Sequence, residues 1–391
     1  MNIAYVTEFD LKKFTETKSP PKELGHRGRC YYIAKSLEEQ SIKINYVGPL
    51  ARKPAVLPKL KECFYNNFLH KVYHKWADPI FSKNYAEQIC HQLYNHQPDI
   101  LVSPDVNLIS YLDCRQKIVL WVDTLYEGLI NFYPDYINLC QETIQHLTTL
   151  DRLSLKRCSL AIFSSEWAAN TAIEKYKIEL EKVKVIPSGA NIKCTRDIDD
   201  IRQIVEAKST NKCKLLFLGV DWFRKGGNIA LEVTNELNKA GINTELTVVG
   251  CQPITKENEA IPDFVVNLGF ISKSNPEGFN KINALIAKSH FLIMPSQAET
   301  YGNVFCEANS FGVPCISTDV GGIPTIIKEG LNGKTFAKNA STNEYSNYIF
   351  NIFSDYAKYK QLALSSFHEY ETRLNWNVAG KTAKKLLMDL L

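Results

Sequence analysis

Two glutamates, Glu299 and Glu307, lie in the stretch PSQAETYGNVFCEANSFGVP, which follows the apolar run Phe291–Met294. An ionised carboxylate carries only acceptors, and a vicinal diol offers two hydroxyl donors at matching separation, so each side chain suits a sugar or a ribose. Gly302 predicts the start of a helix that continues through Glu307 to Ser310, before Gly312-Val313-Pro314 ends it. The backbone N–H groups of Tyr301, Gly302, Asn303 and Val304 then belong to an unpaired first turn that can face an anion. Two diol grips around an anion cradle describe a sugar nucleotide.

A second group lies in KLLFLGVDWFRKGGNIAL, where an apolar run is followed by Gly219, then Arg224 and Lys225 before Gly226-Gly227. Breaking a bond between an anomeric carbon and a diphosphate leaves negative charge on the departing oxygen. Cations fixed there stabilise the transition state more than the ground state. Arg224 and Lys225 are the candidates.

These residues need strand-to-helix loops to hold them. Apolar runs of strand length at Ile3–Val6, Ile44–Val47, Ile100–Val102, Ile118–Val122, Leu160–Phe163 and Val183–Ile186 alternate with helix-like segments. A polar stretch from Lys193 to Lys212 interrupts this rhythm, which restarts at Leu215–Leu218, Leu246–Val249, Val265–Leu268, Phe291–Met294 and Pro314–Ser317. The pattern predicts two α/β domains with parallel sheets, their ligands at the carboxyl ends of the strands. The 391 residues, 45% of them hydrophobic, suit two domains. The expected division is 1–190, 191–365 and a C-terminal helical segment 366–391 that crosses back onto the first domain.

A net charge of +4 does not indicate a nucleic-acid binder. Eleven cysteines, with no C-x-x-C pair and no histidine cluster, point to reduced thiols and predict neither a zinc site nor a disulfide framework. The opening MNIAYVTEF is strand-like rather than a signal peptide, and no apolar run reaches about 18 residues. A cytoplasmic protein is expected, with any membrane contact peripheral and on the inner face.

Glu299, Glu307, Ala308, Gly312, Pro314 and Gly321-Gly322-Ile323-Pro324, with Gly330 and Gly333 beyond, follow in order a pattern that resembles the retaining GT-B glycosyltransferases of family four, with their E-x7-E motif. The resemblance spans nearly the whole chain, dense from Leu215 to Gly333 and sparse between Arg52 and Pro98. It implies the GT-B fold: two Rossmann-like, doubly wound parallel-sheet domains facing a deep cleft, the first for the acceptor and the second for the nucleotide sugar.

The resemblance also implies that Glu299 contacts the donor sugar and Glu307 the ribose, and that Gly250, Gly269, Phe270 and Ile271 lie in loops that hold the base. Val220 stands where an Arg is usual and Thr325 where a Glu is common; Arg224 is expected to substitute for the former. In the first domain Gly25 and Gly28 resemble the family's glycine-rich turn before the first helix. Asp123 occupies the position of a family histidine, as a carboxylate that orients the acceptor hydroxyl or caps the next turn. His26, Arg27, Trp121 and Tyr126 are the acceptor-side candidates.

From Arg52 to Lys83 the chain is basic and aromatic, and Phe64, Phe68, Val72 and Trp76 recur at nearly helical spacing. That stretch reads either as an amphipathic helix packed on the sheet or as a contact for an anionic bilayer or lipid-linked acceptor.

The implied activity is transfer of a hexose-type sugar from a UDP- or GDP-sugar to a glycan or lipid-linked hydroxyl in polysaccharide or lipopolysaccharide synthesis. It retains anomeric configuration by front-face displacement and needs neither metal nor cofactor. A glycosidase using the two glutamates has no use for a cationic diphosphate cradle. A nicotinamide enzyme needs a Gly-x-Gly-x-x-Gly turn after Ile3–Val6, where TEFDLKKF stands. A catalytically silent GT-B scaffold is the alternative.

Overall fold

A computed structural model describes residues 1–11, 14, 21–94, 97–255 and 260–391, with the backbone alone for 21–24. The chain divides into two compact units, one comprising Met1–Phe14, His26–Pro187 and Trp376–Leu391, the other built on Ser188–Asn375.

The first unit runs β1 (Asn2–Val6), α1 (Pro21–Glu38), β2 (Lys43–Val47), α2 (Val56–Phe68), α3 (Pro79–Tyr94), β3 (Ile100–Ser103), β4 (Lys117–Val122), α4 (Gln141–Arg157), β5 (Leu160–Phe163), α5 (Glu166–Tyr176) and β6 (Val183–Val185). The second holds α6 (Ile198–Glu206), β7 (Cys213–Leu218), α7 (Gly227–Lys239), β8 (Thr244–Val249), β9 (Val265–Asn267), α8 (Pro276–Lys288), β10 (Phe291–Met294), α9 (Asn303–Asn309), β11 (Cys315–Thr318), α10 (Ile323–Ile326), β12 (Gly333–Phe336), α11 (Thr342–Ser354) and α12 (Tyr356–Arg373). The chain then returns to the first unit as α13 (Trp376–Asp389).

Each unit has one six-stranded parallel sheet, in the orders β2-β1-β3-β4-β5-β6 and β12-β11-β10-β7-β8-β9. Both faces of the first sheet are covered. Ala4, Val6, Leu101, Leu120, Val122 and Phe163 share a core with Tyr85 and Ile89 of α3 and Leu147 and Leu150 of α4. The alternate residues Ile3, Tyr5, Val102, Val119, Trp121 and Ile162 meet Cys30, Ile33 and Leu37 of α1 and Ala379, Ala383 and Leu387 of α13. Strands buried on both faces read as unbroken apolar runs, which is why their positions stand out in the sequence. Helix α13 comes so close to α1 that a Cβ on Gly380 would lie 2.4 Å from the Ser36 carbonyl oxygen.

Several expectations change. The polar stretch from Lys193 to Lys212 contains a helix, α6, opened by a capping box between Asp197 and Asp200, with Ile201 and Val205 buried. The first unit's strand segment ends at Pro187, and α12 stays with the second unit because Tyr359, Leu362 and Phe367 enter its core. Gly25 and Gly28 form no turn before the first helix: α1 starts at Pro21, a favoured opening residue, and runs through both. The regular spacing of Phe64, Phe68, Val72 and Trp76 is not one helix, since α2 stops at Phe68. Beyond it Val72 bridges to Leu139 and Trp76 begins to pack with Tyr126 and Tyr136.

All eleven cysteines are free thiols. Among the described residues no helix is long and apolar enough to cross a membrane, and no group of three metal-ligating side chains comes together.

Candidate functional site

In the second sheet the chain order reverses between β7 and β10, which are neighbours although three strands apart in sequence. In a doubly wound sheet, ligands bind at the carboxyl ends of the strands beside such a switch point. The loop after β7 carries Arg224 and Lys225, and the loop after β10 carries Glu299. The backbones of these loops interlock: Gln297 N–H donates to the Arg224 carbonyl at 2.7 Å. Gly226, at φ +76°, sits where a Cβ would meet the Pro295 carbonyl oxygen at 2.0 Å, so the approach requires glycine.

The Lys225 ammonium makes a short charged hydrogen bond to Glu299 Oε2. Arg224 Nη1 lies 3.9 Å from the same oxygen and donates to the Ala298 carbonyl at 3.1 Å. Asp221 accepts from the Arg224 backbone N–H at 3.0 Å, its other oxygen 3.7 Å from Nε. Lys225, Arg224 and Glu299 are all largely buried. Burial, and then the neighbouring Arg224 cation, push the Lys225 ammonium well below its ordinary range, with Asp221 opposing. The loops thus set two cations side by side, with Glu299 between them as counter-ion, a charge arrangement suited to an added anion.

Glu307, in the second turn of α9, is buried and ion-paired with Lys273 of the loop after β9. Gly302, at φ +101°, is the residue before α9 and opens it. The Tyr301 and Asn303 side chains turn away from any ligand role: Tyr301 donates to the Ser188 carbonyl and Asn303 to the Gly189 carbonyl, each at 2.8 Å. Of the backbone N–H groups expected to face an anion, those of Gly302, Asn303 and Val304 lie at the N-cap and first turn of α9, and Tyr301 precedes them. Gly219 and Gly250 are brought together: Gly250 adopts φ +105°, and a Cβ there would clash with the Gly219 carbonyl oxygen at 2.5 Å. Gly269 accepts from the Gly250 N–H at 2.8 Å, Phe270 is half exposed beside it, and Ile271 packs against the core.

The first sheet reverses between β1 and β3. There Glu8 follows β1 and Asp105 follows β3, and Asp123 follows the next strand, β4. Asp123 Oδ1 accepts from the Ser164 hydroxyl at 2.8 Å and Oδ2 lies 3.2 Å from Arg29 Nε. Arg29 Nη1 also donates to the Trp121 carbonyl at 3.2 Å, and Nη2 lies 3.0 Å from His26 Nδ1. Burial opposes the charge of Arg29, but Asp123 and its other neighbours outweigh it and raise its pKa. His26 Nε2 is 3.6 Å from Asp105 Oδ2. Its surroundings, with the Arg29 and Arg27 cations beside it, lower the His26 pKa, and burial together with Glu8 lifts the Asp105 carboxyl to about 7.

The structure places the other acceptor-side candidates as follows. Trp121 is 1% exposed in the sheet core, so it contacts no acceptor. Tyr126 is held in an aromatic cluster with Trp76 and Tyr136. Arg27 lies over the Phe9 ring, 4.5 Å from its centroid. Sequence reasoning missed Lys273, Arg29, Glu8 and Asp105. Only Lys273 had a local signal, as the cation in the NLGFISKS loop already assigned to the nucleotide; the others are brought in by the sheet order.

Residues 212–355, which lie within the second unit, match the family model of glycosyl transferases group 1. The chain as a whole has the GT-B fold. It is 26% identical over 177 residues to an uncharacterized glycosyltransferase of Methanocaldococcus jannaschii, covering 45% of this chain and 48% of that protein. Matches of this kind span about half the length of the curated relatives. To the lipopolysaccharide glucosyltransferase WaaG of Escherichia coli it is 26% identical over 281 residues, 70% of this chain and 69% of the relative. The crystal structure of WaaG superposes with a TM-score of 0.64 at 17% identity, covering 98% of this chain and 99% of that one. That of Anabaena HepE in complex with UDP-glucose gives 0.60 at 16% identity over 100% of both chains.

Proposed function

We propose that this protein is a retaining glycosyltransferase that moves a hexose-type sugar from a nucleoside diphosphate sugar to a hydroxyl of a glycan or lipid-linked acceptor. The observation that carries this reading is the buried Arg224–Lys225–Glu299 cluster at the β7/β10 switch point. A glycosidase acid would be a lone raised carboxyl; here the carboxylate is matched by two cations, an arrangement for gripping a phosphorylated leaving group.

In the reaction the bond from C1 to the diphosphate oxygen breaks as the acceptor oxygen bonds to C1 on the same face. The acceptor's proton passes to the departing phosphate oxygen. Arg224 and Lys225 neutralise the charge that develops on that oxygen. Glu299 holds sugar hydroxyls, and its pairing with Lys225 keeps both side chains placed when no donor is bound. Glu307 takes the ribose diol. The N–H groups at the start of α9 face the phosphates. Asp123, oriented by Arg29 and Ser164, positions the acceptor hydroxyl. Positioning and fixed charge supply the catalysis, so the scheme calls for no metal.

WaaG and the HepE–UDP-glucose complex support UDP-glucose as the first donor to try and lipopolysaccharide or polysaccharide as the acceptor class. The test is a thermal-shift panel of UDP-, GDP- and dTDP-sugars, with slow donor hydrolysis followed for each. A bound donor raises the melting temperature in proportion to its affinity. Binding with no turnover of any donor would support the silent scaffold, and no binding at all would remove the reading.

A further inference from the structure

Helix α2 is amphipathic in the wrong sense for a packed helix. Successive residues turn by about 100°, so Pro58, Lys61, Glu62 and Tyr65 share one side, and these are its buried or half-buried positions. That side is tied down by polar contacts: Lys61 and Tyr65 both donate to Glu142, Lys75 donates to Glu62 at 2.8 Å, and Tyr65 stacks on Tyr73. The apolar residues Val56, Leu57, Leu60, Phe64 and Phe68 lie together elsewhere on the helix, each between 52% and 73% exposed, with exposed Leu69 just beyond. A surface helix normally buries its apolar stripe. Here the stripe is presented to solvent, and Phe64 stacks on Phe68 to make a continuous ridge.

The surroundings of the ridge are basic. Between residues 52 and 75 stand Arg52, Lys53, Lys59, Lys61, Lys71 and Lys75, with Glu62 the one acid. Four of these cations meet carboxylates. Lys59 is exposed on the flank of the helix, and Lys71, just past its end, donates to the neutral Asn138. An apolar ridge with aromatic residues and flanking lysines matches the two layers of a bilayer surface, acyl chains below and anionic headgroups above. A second copy of the chain complements it less well, because a two-fold contact would bring one basic patch against the same basic patch of the other copy.

We infer that the outward face of α2 docks this protein on an anionic lipid bilayer, with Leu57, Leu60, Phe64 and Phe68 entering the headgroup–acyl boundary and Lys59 and Lys71 meeting the lipid charges. The surface lies on a different element from every residue assigned to the donor, so lipid binding is read independently of turnover.

The test is co-sedimentation of the full chain with vesicles of phosphatidylcholine alone and of phosphatidylcholine mixed with phosphatidylglycerol. Wild-type protein binds the mixed vesicles, more weakly at high salt. The variant Leu60→Ser/Phe64→Ser/Phe68→Ser loses roughly 10-fold or more of that binding with its melting temperature held, since these side chains are exposed. Lys59→Glu/Lys71→Glu, which leaves the ridge intact, loses binding to mixed vesicles as well. Absence of binding by wild-type protein, undiminished binding by the triple-serine variant, or a wild-type self-association that the same variant abolishes would each overturn the inference, the last by making the ridge an interface between copies.

Discussion

The Lys225 ammonium is bonded to the Glu299 carboxylate although the two residues lie on loops leaving different strands, β7 and β10. The pair joins the two halves of the second sheet at the point where its strand order reverses. Both side chains are largely buried, so neither can be changed without consequence for the other.

Lys225→Ala removes one partner of a buried ion pair and leaves Glu299 without its strongest counter-charge. Stability should fall by about 3 kcal/mol and turnover by about 10²-fold or more. Pairing Lys225→Met with Glu299→Gln removes both charges, so the melting temperature should recover while activity does not. Thermal melts of the single and double variants, beside donor turnover, separate the structural from the catalytic share.

Glu307→Ala leaves Lys273 free to extend into solvent, because that lysine is already partly exposed. Stability should therefore change little. Donor affinity should fall by about 10-fold or more, the worth of charge-assisted hydrogen bonds to a diol, with kcat close to wild type. Titration calorimetry with UDP measures this without the sugar or an acceptor.

Asp123→Asn keeps the shape but removes the charge beside buried Arg29. Turnover should drop by about 10-fold or more, donor affinity should hold, and the melting temperature should fall because Arg29 loses its counter-ion. Ser164→Ala, which removes only the hydroxyl bonded to Asp123, should give a smaller loss of turnover. Unchanged turnover in Asp123→Asn would leave this aspartate a purely structural partner of Arg29.

Asp105 gives a pH dependence of a particular sign. Its folded pKa of about 7 lies above the unfolded value of about 3.9. Between those values the folded state holds the extra proton, so this group's contribution to stability declines as pH rises from about 4 to about 7 and is constant above. His26 and His290, whose pKa values are lowered by burial, act in the opposite direction below about 6.5. The informative quantity is therefore a difference. Relative to wild type, Asp105→Asn should gain stability on the order of 2 kcal/mol between pH 5 and pH 8, read from denaturant unfolding at the two values.

The parts legible in the sequence were those whose cause is local. Strands buried on both faces announce themselves as apolar runs, and Gly302 marked the start of α9. Strand β12 was missed because Gly333-Lys334-Thr335-Phe336 carries no apolar run and is recruited by pairing with β11. Helix α6 was missed because its two buried residues are scattered among charges, although Asp197 and Asp200 spell a capping box. The same limit governs the site. Glu299, Glu307, Arg224 and Lys225 lie in recognisable motifs. The contacts Arg29–Asp123 and Lys273–Glu307 join residues 94 and 34 positions apart, and only the sheet order and loop paths bring them together.

The most direct measurement follows the anomeric proton of the sugar released when the purified protein hydrolyses UDP-glucose without acceptor, by proton NMR faster than mutarotation. Front-face displacement at the Arg224–Lys225–Glu299 cluster predicts α-glucose as the first product, and its loss in Lys225→Ala. β-Glucose as the first product, or undiminished hydrolysis by Lys225→Ala, would contradict it.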